Sequence, residues 1–175
     1  VGSWDNCGID SMWVSVSTFT CSHIGSNDVT LYVRDSSGNV ESDVTQVTVT
    51  DTLSPVVVTH SLTVYLDTMG TASIAPADIN AGSYDNCGID SFWLDKELFN
   101  CSDLGVQTVT LFARDSSGNM SFETAEVAVV DTVKPVVRTQ SISVYLDDSG
   151  VSTVSAAIVN NGSADNCAVD SLWLD

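Results

Sequence analysis

The amino-acid sequence predicts an all-β protein made of tandem antiparallel β-sandwich modules that recur every 80 residues. The tripeptide Asp-Asn-Cys stands at positions 5–7, 85–87 and 165–167, so the interval is constant at 80 residues. Between its copies, runs of β-branched and aromatic residues alternate with turn-forming Gly, Asn, Asp and Ser. The chain has no convincing helical periodicity, and a fixed long period is typical of repeat architectures.

The period divides the 175 residues into one whole repeat and two partial ones. We expect residues 1–52 to be the C-terminal part of a first repeat, residues 53–132 a complete repeat, and residues 133–175 the N-terminal part of a third. A unit of 80 residues buries only a small core, so a disulfide, a bound ion or its neighbours should help to stabilise it. We expect the chain to be a piece of something longer.

The first strands of the complete repeat are predicted from residue type. Residues 56–58 are all valine, and residues 62–66 are rich in β-branched and aromatic side chains. The turn Asp-Thr-Met-Gly at 67–70 should return the chain into a strand at 71–74, which predicts a first hairpin. Residues 76–88 are rich in turn formers, so we expect a long loop at one end of the sheets.

The second half of the repeat begins with a strand at 89–94, whose side chains should alternate between two faces. The clearest hairpin follows, with strands at 109–113 and 126–130 around the turn Asp-Ser-Ser-Gly-Asn at 115–119. Together these short strands and turns predict an immunoglobulin-like sandwich of about seven strands.

A tryptophan follows each copy of the motif, at positions 13, 93 and 173. These residues could stack on a ligand. Tryptophan at a fixed place in mid-strand more often fills the core of a sandwich, however. We therefore predict that Trp13, Trp93 and Trp173 are core residues.

The segments that join the repeats share the pattern Asp-Thr-x-x-Pro, at residues 51–55 and 131–135. Proline fixes φ on entry to the next strand, and the linker is short. We predict a stiff connection, unlike a Gly-Ser linker.

Charge and composition exclude several classes of function. There are 23 acidic and 5 basic residues and a net charge of −18, so nucleic acid and anionic membranes are poor partners. His23 and His60 fall at different points of the period, which leaves the abundant Ser and Thr without a repeated activating base. We predict that the chain is not an enzyme.

Each repeat contains two cysteines, which predicts disulfide bonds and an oxidising extracellular setting. Cys7 should bond Cys21, and Cys87 should bond Cys101, because a module able to fold alone should close its own bridge. Cys167 is then left unpaired. Zinc is the alternative, but one cysteine pair without a repeated His cannot supply four ligands.

Repeated carboxylates predict a calcium site where modules meet. In a sandwich of this kind, Asp85, Asn86 and Asp115 should gather near the linker residue Asp51, and loops of this composition supply the oxygen ligands that calcium requires. The alternative is that Asp and Asn only form turns through local hydrogen bonds. By the same geometry, the next joint should bring together Asp131, Asp165 and Asp67.

The motifs resemble a known family. Asp-Asn-Cys-Gly-Ile at 85–89, Cys-Ser-Asp-Leu-Gly at 101–105, Thr-Val-Thr-Leu at 108–111 and Arg-Asp-Ser-Ser-Gly-Asn at 114–119 are similar, in this order, to the immunoglobulin-like repeats of SprB-type gliding-motility adhesins. The repeats also look similar to hyalin repeats. In the third copy, Ala168-Val169 replaces Gly-Ile.

The resemblance implies a filament protein of gliding Bacteroidetes, secreted by the type IX system and attached to the outer membrane. The first hypothesis is thus a non-catalytic structural repeat of an extracellular adhesin, with neighbouring repeats, surface polysaccharide or cell-surface proteins as partners. A carbohydrate- or protein-binding module, or an accessory region of a secreted enzyme, is the alternative. Thr52 and Thr132 also match the Asp-Ser/Thr-aliphatic pattern that Bacteroidetes use for O-glycosylation.

Overall fold

The computed structural model describes residues 2–175, which form mostly antiparallel β-sheets, so the all-β prediction is confirmed. None of the helices in this part of the chain is long and apolar enough to cross a membrane. The elements are β1 Ile9–Val14, β2 Gly25–Asp35, β3 Val40–Val49, β4 Leu62–Tyr65, β5 Thr71–Ser73, α1 Pro76–Ile79, β6 Ile89–Leu94, β7 Leu98–Asn100, β8 Gly105–Asp115, β9 Met120–Val130 and α2 Ala156–Val159, with 3-10 helices at Cys21–His23 and Cys101–Asp103.

The chain divides into two compact units. Their boundaries follow spatial contacts and do not coincide with the sequence period. The division into repeats at residues 52 and 132 therefore stays a prediction. The first unit comprises Val1–Val56, Tyr84–Ser91 and Arg114–Ser121, and the second comprises Val57–Ser83, Phe92–Ala113 and Phe122–Asp175.

A three-stranded antiparallel sheet of order β1-β2-β3 lies in the first unit. Its long hairpin turns at Asp35, whose carboxylate accepts the backbone N–H groups of Ser37 and Asn39 at 2.9 and 2.8 Å. Gly38 completes the turn with a φ of 92°, a conformation that residues with a Cβ rarely adopt. The turn chemistry of the Asp-Ser-Ser-Gly-Asn pattern thus fixes the register of β2 and β3.

The other strands form a sheet of order β4-β9-β8-β6 and a separate pair, β5-β7. The predicted turn at 67–70 is present, since Gly70 donates its N–H to the carbonyl of Asp67 at 3.0 Å. The strands on either side of it do not pair as the hairpin we predicted. Instead β4 runs parallel to β9, while β5 pairs with β7 in the other sheet. Crossing between sheets lets both strands cover one core.

The core of the second unit is built from both of these sheets. Phe99 of β7 is 1% exposed, and Leu111 of β8 and Val127 of β9 are fully buried. Ile79, at the end of α1, is also fully buried. Burying side chains of this size is worth roughly 1.5–3 kcal/mol each. The apolar contacts between the two sheets therefore supply the main stabilisation of this unit.

Two local predictions for this region were wrong, and one strand was missed. Residues 56–58 do not form a strand. Val56 makes one isolated bridge with Tyr84, and Thr59, just after this segment, makes another with Asn80. Part of the expected loop is helical, because Pro76 suits the first turn and the carboxylate of Asp78 accepts the N–H of Ala75 at 2.8 Å. Strand β7 was not predicted at all.

The prediction that the tryptophans fill the core was also wrong. Trp93 is half-buried and stacks on Phe112, with ring centroids 5.3 Å apart, outside the buried cluster. Trp13 stacks on Tyr32 and is 44% exposed, and Trp173 is 77% exposed. Phe99 takes the core position instead. Trp13 of β1 and Trp93 of β6 stack flat on an aromatic ring of the neighbouring strand, which sequence position alone does not distinguish from burial.

Candidate functional site

A disulfide between Cys21 and Cys87 closes the first unit, with Cα atoms 5.3 Å apart and a sequence separation of 66. Cys21 opens the 3-10 helix that leads into β2, and Cys87 ends the second copy of Asp-Asn-Cys. These two cysteines lie in consecutive predicted repeats. The predicted pair Cys7–Cys21 is therefore wrong, and Cys7 is free and exposed.

The length of β2 explains why Cys7 and Cys21 do not bond. Cys7 stands just before Ile9, which pairs with Asp35 at one end of β2. Cys21 stands just before Gly25, at the other end of this 11-residue strand. Such a strand is about 33 Å long. A disulfide requires Cα atoms within about 7 Å. Cys7 and Cys21 are therefore too far apart in space to bond, although they are close in sequence.

A second disulfide, between Cys101 and Cys167, has the same sequence separation of 66 and lies in the second unit. The predicted pair Cys87–Cys101 is therefore also wrong, and Cys167 is not unpaired. Gly70 packs directly against this bridge. A Cβ added to Gly70 would lie 2.7 Å from the Sγ of Cys101 and 2.9 Å from the carbonyl oxygen of Asn166. Only glycine fits here without displacing the bridge.

An asparagine side chain beside each bridge bonds to the linker aspartate. Asn86 donates from Nδ2 to Oδ1 of Asp51 at 3.2 Å, and Asn166 donates to Oδ1 of Asp131 at 3.1 Å. In both cases the same Oδ1 also accepts a backbone N–H two residues further along the linker. We call the contact of Asp51 with Asn86 the first joint and the contact of Asp131 with Asn166 the second joint. The two joints therefore share a covalent bridge and a hydrogen bond in the same relative positions.

Three carboxylates converge at the first joint. Asp51 follows β3, Asp85 begins the Asp-Asn-Cys motif, and Asp115 ends β8. One oxygen from each lies within 4.8 Å of the others. Asp51 is 9% exposed and Asp115 only 1%. Since like charges at this distance repel, most strongly where water is excluded, the arrangement is unfavourable unless a cation balances it.

Asp115 is held in place by its own turn. Its Oδ1 accepts the N–H groups of Ser117 and Asn119, and its Oδ2 accepts Nδ2 of Asn119 at 2.7 Å. Burial acts to raise the pKa of Asp115, but these hydrogen bonds together outweigh it and lower the pKa below 3.8. Asp115 is therefore a carboxylate at neutral pH, fixed in one orientation.

Two oxygens of the cluster have no hydrogen-bond partner although they are buried. They are Oδ2 of Asp51 and Oδ1 of Asp85. The other oxygen of Asp85 accepts the N–H of Cys87 at 2.8 Å, and Oδ1 of Asp51 accepts Asn86. Buried oxygens of this kind are rare in native proteins because an unmade hydrogen bond is costly. They are available to a ligand, and the residues able to hold a metal are Asp51, Asp85 and Asp115.

The bridges and the acidic cluster indicate an environment and a class of ligand. No protein-family model and no curated protein matches this chain. The two disulfides indicate an oxidising environment of the extracellular type. The acidic cluster adds a group of hard oxygen ligands, which suit calcium, magnesium or manganese better than zinc or copper.

The predicted metal residues are therefore distributed as follows. Asp51, Asp85, Asn86 and Asp115 come together as expected. At the second joint, Asn166 bonds both the carboxylate of Asp131 and the carbonyl of Asp67, at 3.1 and 3.0 Å. Oδ1 of Asp165 and Oδ1 of Asn166 are buried there without a partner.

Asp67 differs from the expectation for it. Its carboxylate accepts the N–H groups of Met69 and Thr71, each at 2.9 Å, so it stabilises its own turn. Hydrogen bonding from the backbone of Thr71, then of Met69, lowers the pKa of Asp67 below 3.8. Its backbone carbonyl, not its side chain, contacts the second joint.

One residue of the first joint was missed. Asn119 donates from Nδ2 to the carbonyl oxygen of Asp51 at 3.3 Å, in addition to its bonds with Asp115. Its place in the repeated Arg-Asp-Ser-Ser-Gly-Asn pattern was visible, but a turn accounts for that pattern equally well. The prospective glycosylation residues Thr52 and Thr132 are both exposed.

Proposed function

We propose that this chain is a segment of a non-catalytic structural array, part of a long extracellular adhesin filament that serves surface attachment and gliding motility. Its partners are neighbouring repeats of the same protein, together with surface polysaccharide or other cell-surface proteins. The filament belongs on the cell surface, anchored at the outer membrane. Both the adhesin role and the location rest on the resemblance of the motifs to SprB-type repeats.

The observation that carries the proposal is the position of the disulfides. Cys21–Cys87 and Cys101–Cys167 each connect one predicted repeat to the next. Disulfides between successive repeats hold neighbouring repeats together covalently, and a filament requires such connections along its length.

Equivalent elements support the view that the chain is built of tandem repeats. Four pairs of elements have bounds that become identical when 80 is added to the residue numbers. The pairs are Ile9–Val14 with Ile89–Leu94, Gly25–Asp35 with Gly105–Asp115, Cys21–His23 with Cys101–Asp103, and Pro76–Ile79 with Ala156–Val159.

The high negative charge fits a protein that must stay extended and soluble outside the cell.

Immunogold electron microscopy of intact source cells tests the adhesin role. Antibodies raised against this chain should label filaments that extend from the cell surface, and external protease should remove the label. Cells treated with pre-immune serum provide the control. Label confined to the cell interior would contradict the proposal.

Carbohydrate binding is a second candidate function, favoured by a row of aromatic rings in the second unit. Trp93 stacks on Phe112 with ring planes 4° apart, and Phe122 continues the row with its centroid 5.8 Å from that of Phe112. Phe122 is 64% exposed, so its ring could stack on a sugar.

Glycan-array binding of the native chain and of Phe122→Ala tests this second function. Tyr65→Ala is the matched control, since Tyr65 is also an exposed aromatic residue but stands outside the row. Binding that is lost in Phe122→Ala and kept in Tyr65→Ala would support a sugar site. Equal binding by all three proteins, or none by the native chain, would exclude it.

A further inference from the structure

We propose that Asp51, Asp85 and Asp115 bind one calcium ion, which ties the linker after β3 to the Asp-Asn-Cys loop and to the end of β8. This site goes beyond the structural role proposed above. It is argued from geometry, so it stands whether or not the array serves adhesion.

The spacing of the three carboxylates fits a single calcium ion. Calcium lies 2.3–2.6 Å from its oxygen ligands, so two ligands on opposite sides of the ion are at most about 5 Å apart. The oxygens of Asp51, Asp85 and Asp115 lie within 4.8 Å of one another. All three can therefore contact one ion, and water or carbonyl oxygens would complete the usual six to eight ligands.

The cluster contains buried carboxylate oxygens that no protein group satisfies. The carboxylate of Asp51 is nine-tenths buried, and its Oδ2 accepts no hydrogen bond. Asp85 is only half-buried, but its Oδ1 is inaccessible and likewise accepts no hydrogen bond. If Asp51 and Asp85 served only to form turns, each would need one carboxylate oxygen. Asp51 already accepts the N–H of Leu53 at Oδ1, and Asp85 already accepts the N–H of Cys87 at Oδ2, so the second oxygen of each residue has no part in a turn.

The charge of the cluster is not balanced by the protein. Within the part of the chain that the structure describes, the ion pair is Lys96–Asp103, which lies outside the cluster. The donors that reach Asp51 and Asp115 are neutral amides and backbone N–H groups. A divalent cation is the group that would both neutralise three carboxylates and occupy the free oxygens.

The second joint provides an internal comparison. It has Asp131 and Asp165 in the sequence positions of Asp51 and Asp85, and Asn166 in that of Asn86. Among residues 2–175, however, the group of three possible acidic ligands is Asp51, Asp85 and Asp115. The proposal therefore predicts one strong calcium site in this chain, with a stoichiometry of one.

Isothermal titration of the disulfide-bonded chain with calcium chloride, after treatment with chelator, tests the site. The variant Asp85→Asn removes a charge while keeping an oxygen that can accept the N–H of Cys87. The matched control is Asp165→Asn, which makes the same change at the second joint. We expect one bound ion in the native chain, at least tenfold weaker binding in Asp85→Asn, and unchanged binding in Asp165→Asn. Magnesium chloride should bind more weakly than calcium.

Thermal melting separates ligation from a merely structural role of Asp85. With chelator, Asp85→Asn should melt above the native chain because repulsion within the cluster is relieved. With calcium, the order should reverse, because the native chain alone gains the full binding energy. Absence of calcium binding in the native chain, equal effects of the two variants, equally tight magnesium binding, or a variant that melts lower under both conditions would each overturn the proposal. None of these results depends on adhesion.

Discussion

Asn86 donates a hydrogen bond from its side-chain amide to the carboxylate of Asp51, which lies 35 positions earlier in the chain. Asn166 makes the same contact with Asp131 at the same separation. Each bond fastens a linker to the loop that carries the bridging cysteine. The linker follows the last strand of one predicted repeat. The hydrogen bond therefore fixes the direction in which the chain leaves that strand.

Replacing Asn86 by Ala should destabilise the chain by about 1–2 kcal/mol, the usual cost of removing one partner of a partly buried hydrogen bond. Thermal melting in the presence of chelator should show a loss of a few degrees. Met69→Ala is the control, because Met69 is 82% exposed. Equal melting temperatures of the native chain and Asn86→Ala would show that the bond does not stabilise the joint.

Gly70→Ala should be more damaging than Gly150→Ala, although both glycines have nearly the same backbone conformation, with φ of 74° and 73°. The strain of a Cβ at this φ, about 1–2 kcal/mol, is common to both variants. A Cβ at Gly70 would also collide with Cys101 and Asn166, whereas nothing lies within 4 Å at Gly150. Melting temperatures of the two variants check this. If the melting temperatures of the two variants fall equally, the close packing at Gly70 does not contribute to stability.

Removing the Cys101–Cys167 bridge should destabilise the folded chain by about 4 kcal/mol, the chain-entropy value for a loop of this length. The double variant Cys101→Ser with Cys167→Ser should therefore melt well below the native chain. Cys7→Ser should melt like the native chain, since Cys7 is free and exposed. Non-reducing peptide mapping checks the pairing itself. Recovery of a Cys7–Cys21 or Cys87–Cys101 peptide would contradict the structure.

Acid should destabilise the turn at Asp67. The folded pKa of this carboxyl is lowered below 3.8 by hydrogen bonds from Thr71 and Met69. Its stabilising contribution is therefore present above about pH 4 and is lost as the pH falls through the lower, folded pKa. Between pH 5 and pH 3, the melting temperature of Asp67→Asn should fall less than that of the native chain. Parallel decreases would show that Asp67 does not contribute to the acid transition.

Local features of the fold could be predicted from the sequence because local interactions determine them. The hairpins around 35–39 and 115–119 form where Asp, Gly and Asn supply a complete turn. The convergence of Asp51, Asp85 and Asp115 was also predictable, since each lies at or near the end of a strand on the same side of an antiparallel arrangement.

Non-local features could not be read in this way. The pairing of β4 with β9 depends on which sheet best buries Val64 and Leu66 against the core, and residue type does not specify that partner. The disulfide pairing could not be predicted because the 11-residue strand β2 separates cysteines that are close in sequence. The tryptophans were misplaced because a stacked ring on a sheet face and a buried ring have the same sequence pattern.

The two bridges also determine how the protein would respond to being pulled from its ends. Tension entering at the first residues would pass from Cys21 directly to Cys87, and later from Cys101 directly to Cys167. The residues inside each bridge would carry no stretching force, so most strands could not be drawn out. Each bridge shortens the extensible contour by about 220 Å, given 66 residues at about 3.3 Å each. A chain of such bridges would behave as a tether of nearly fixed length, and a reductant would convert it into one that lengthens under load.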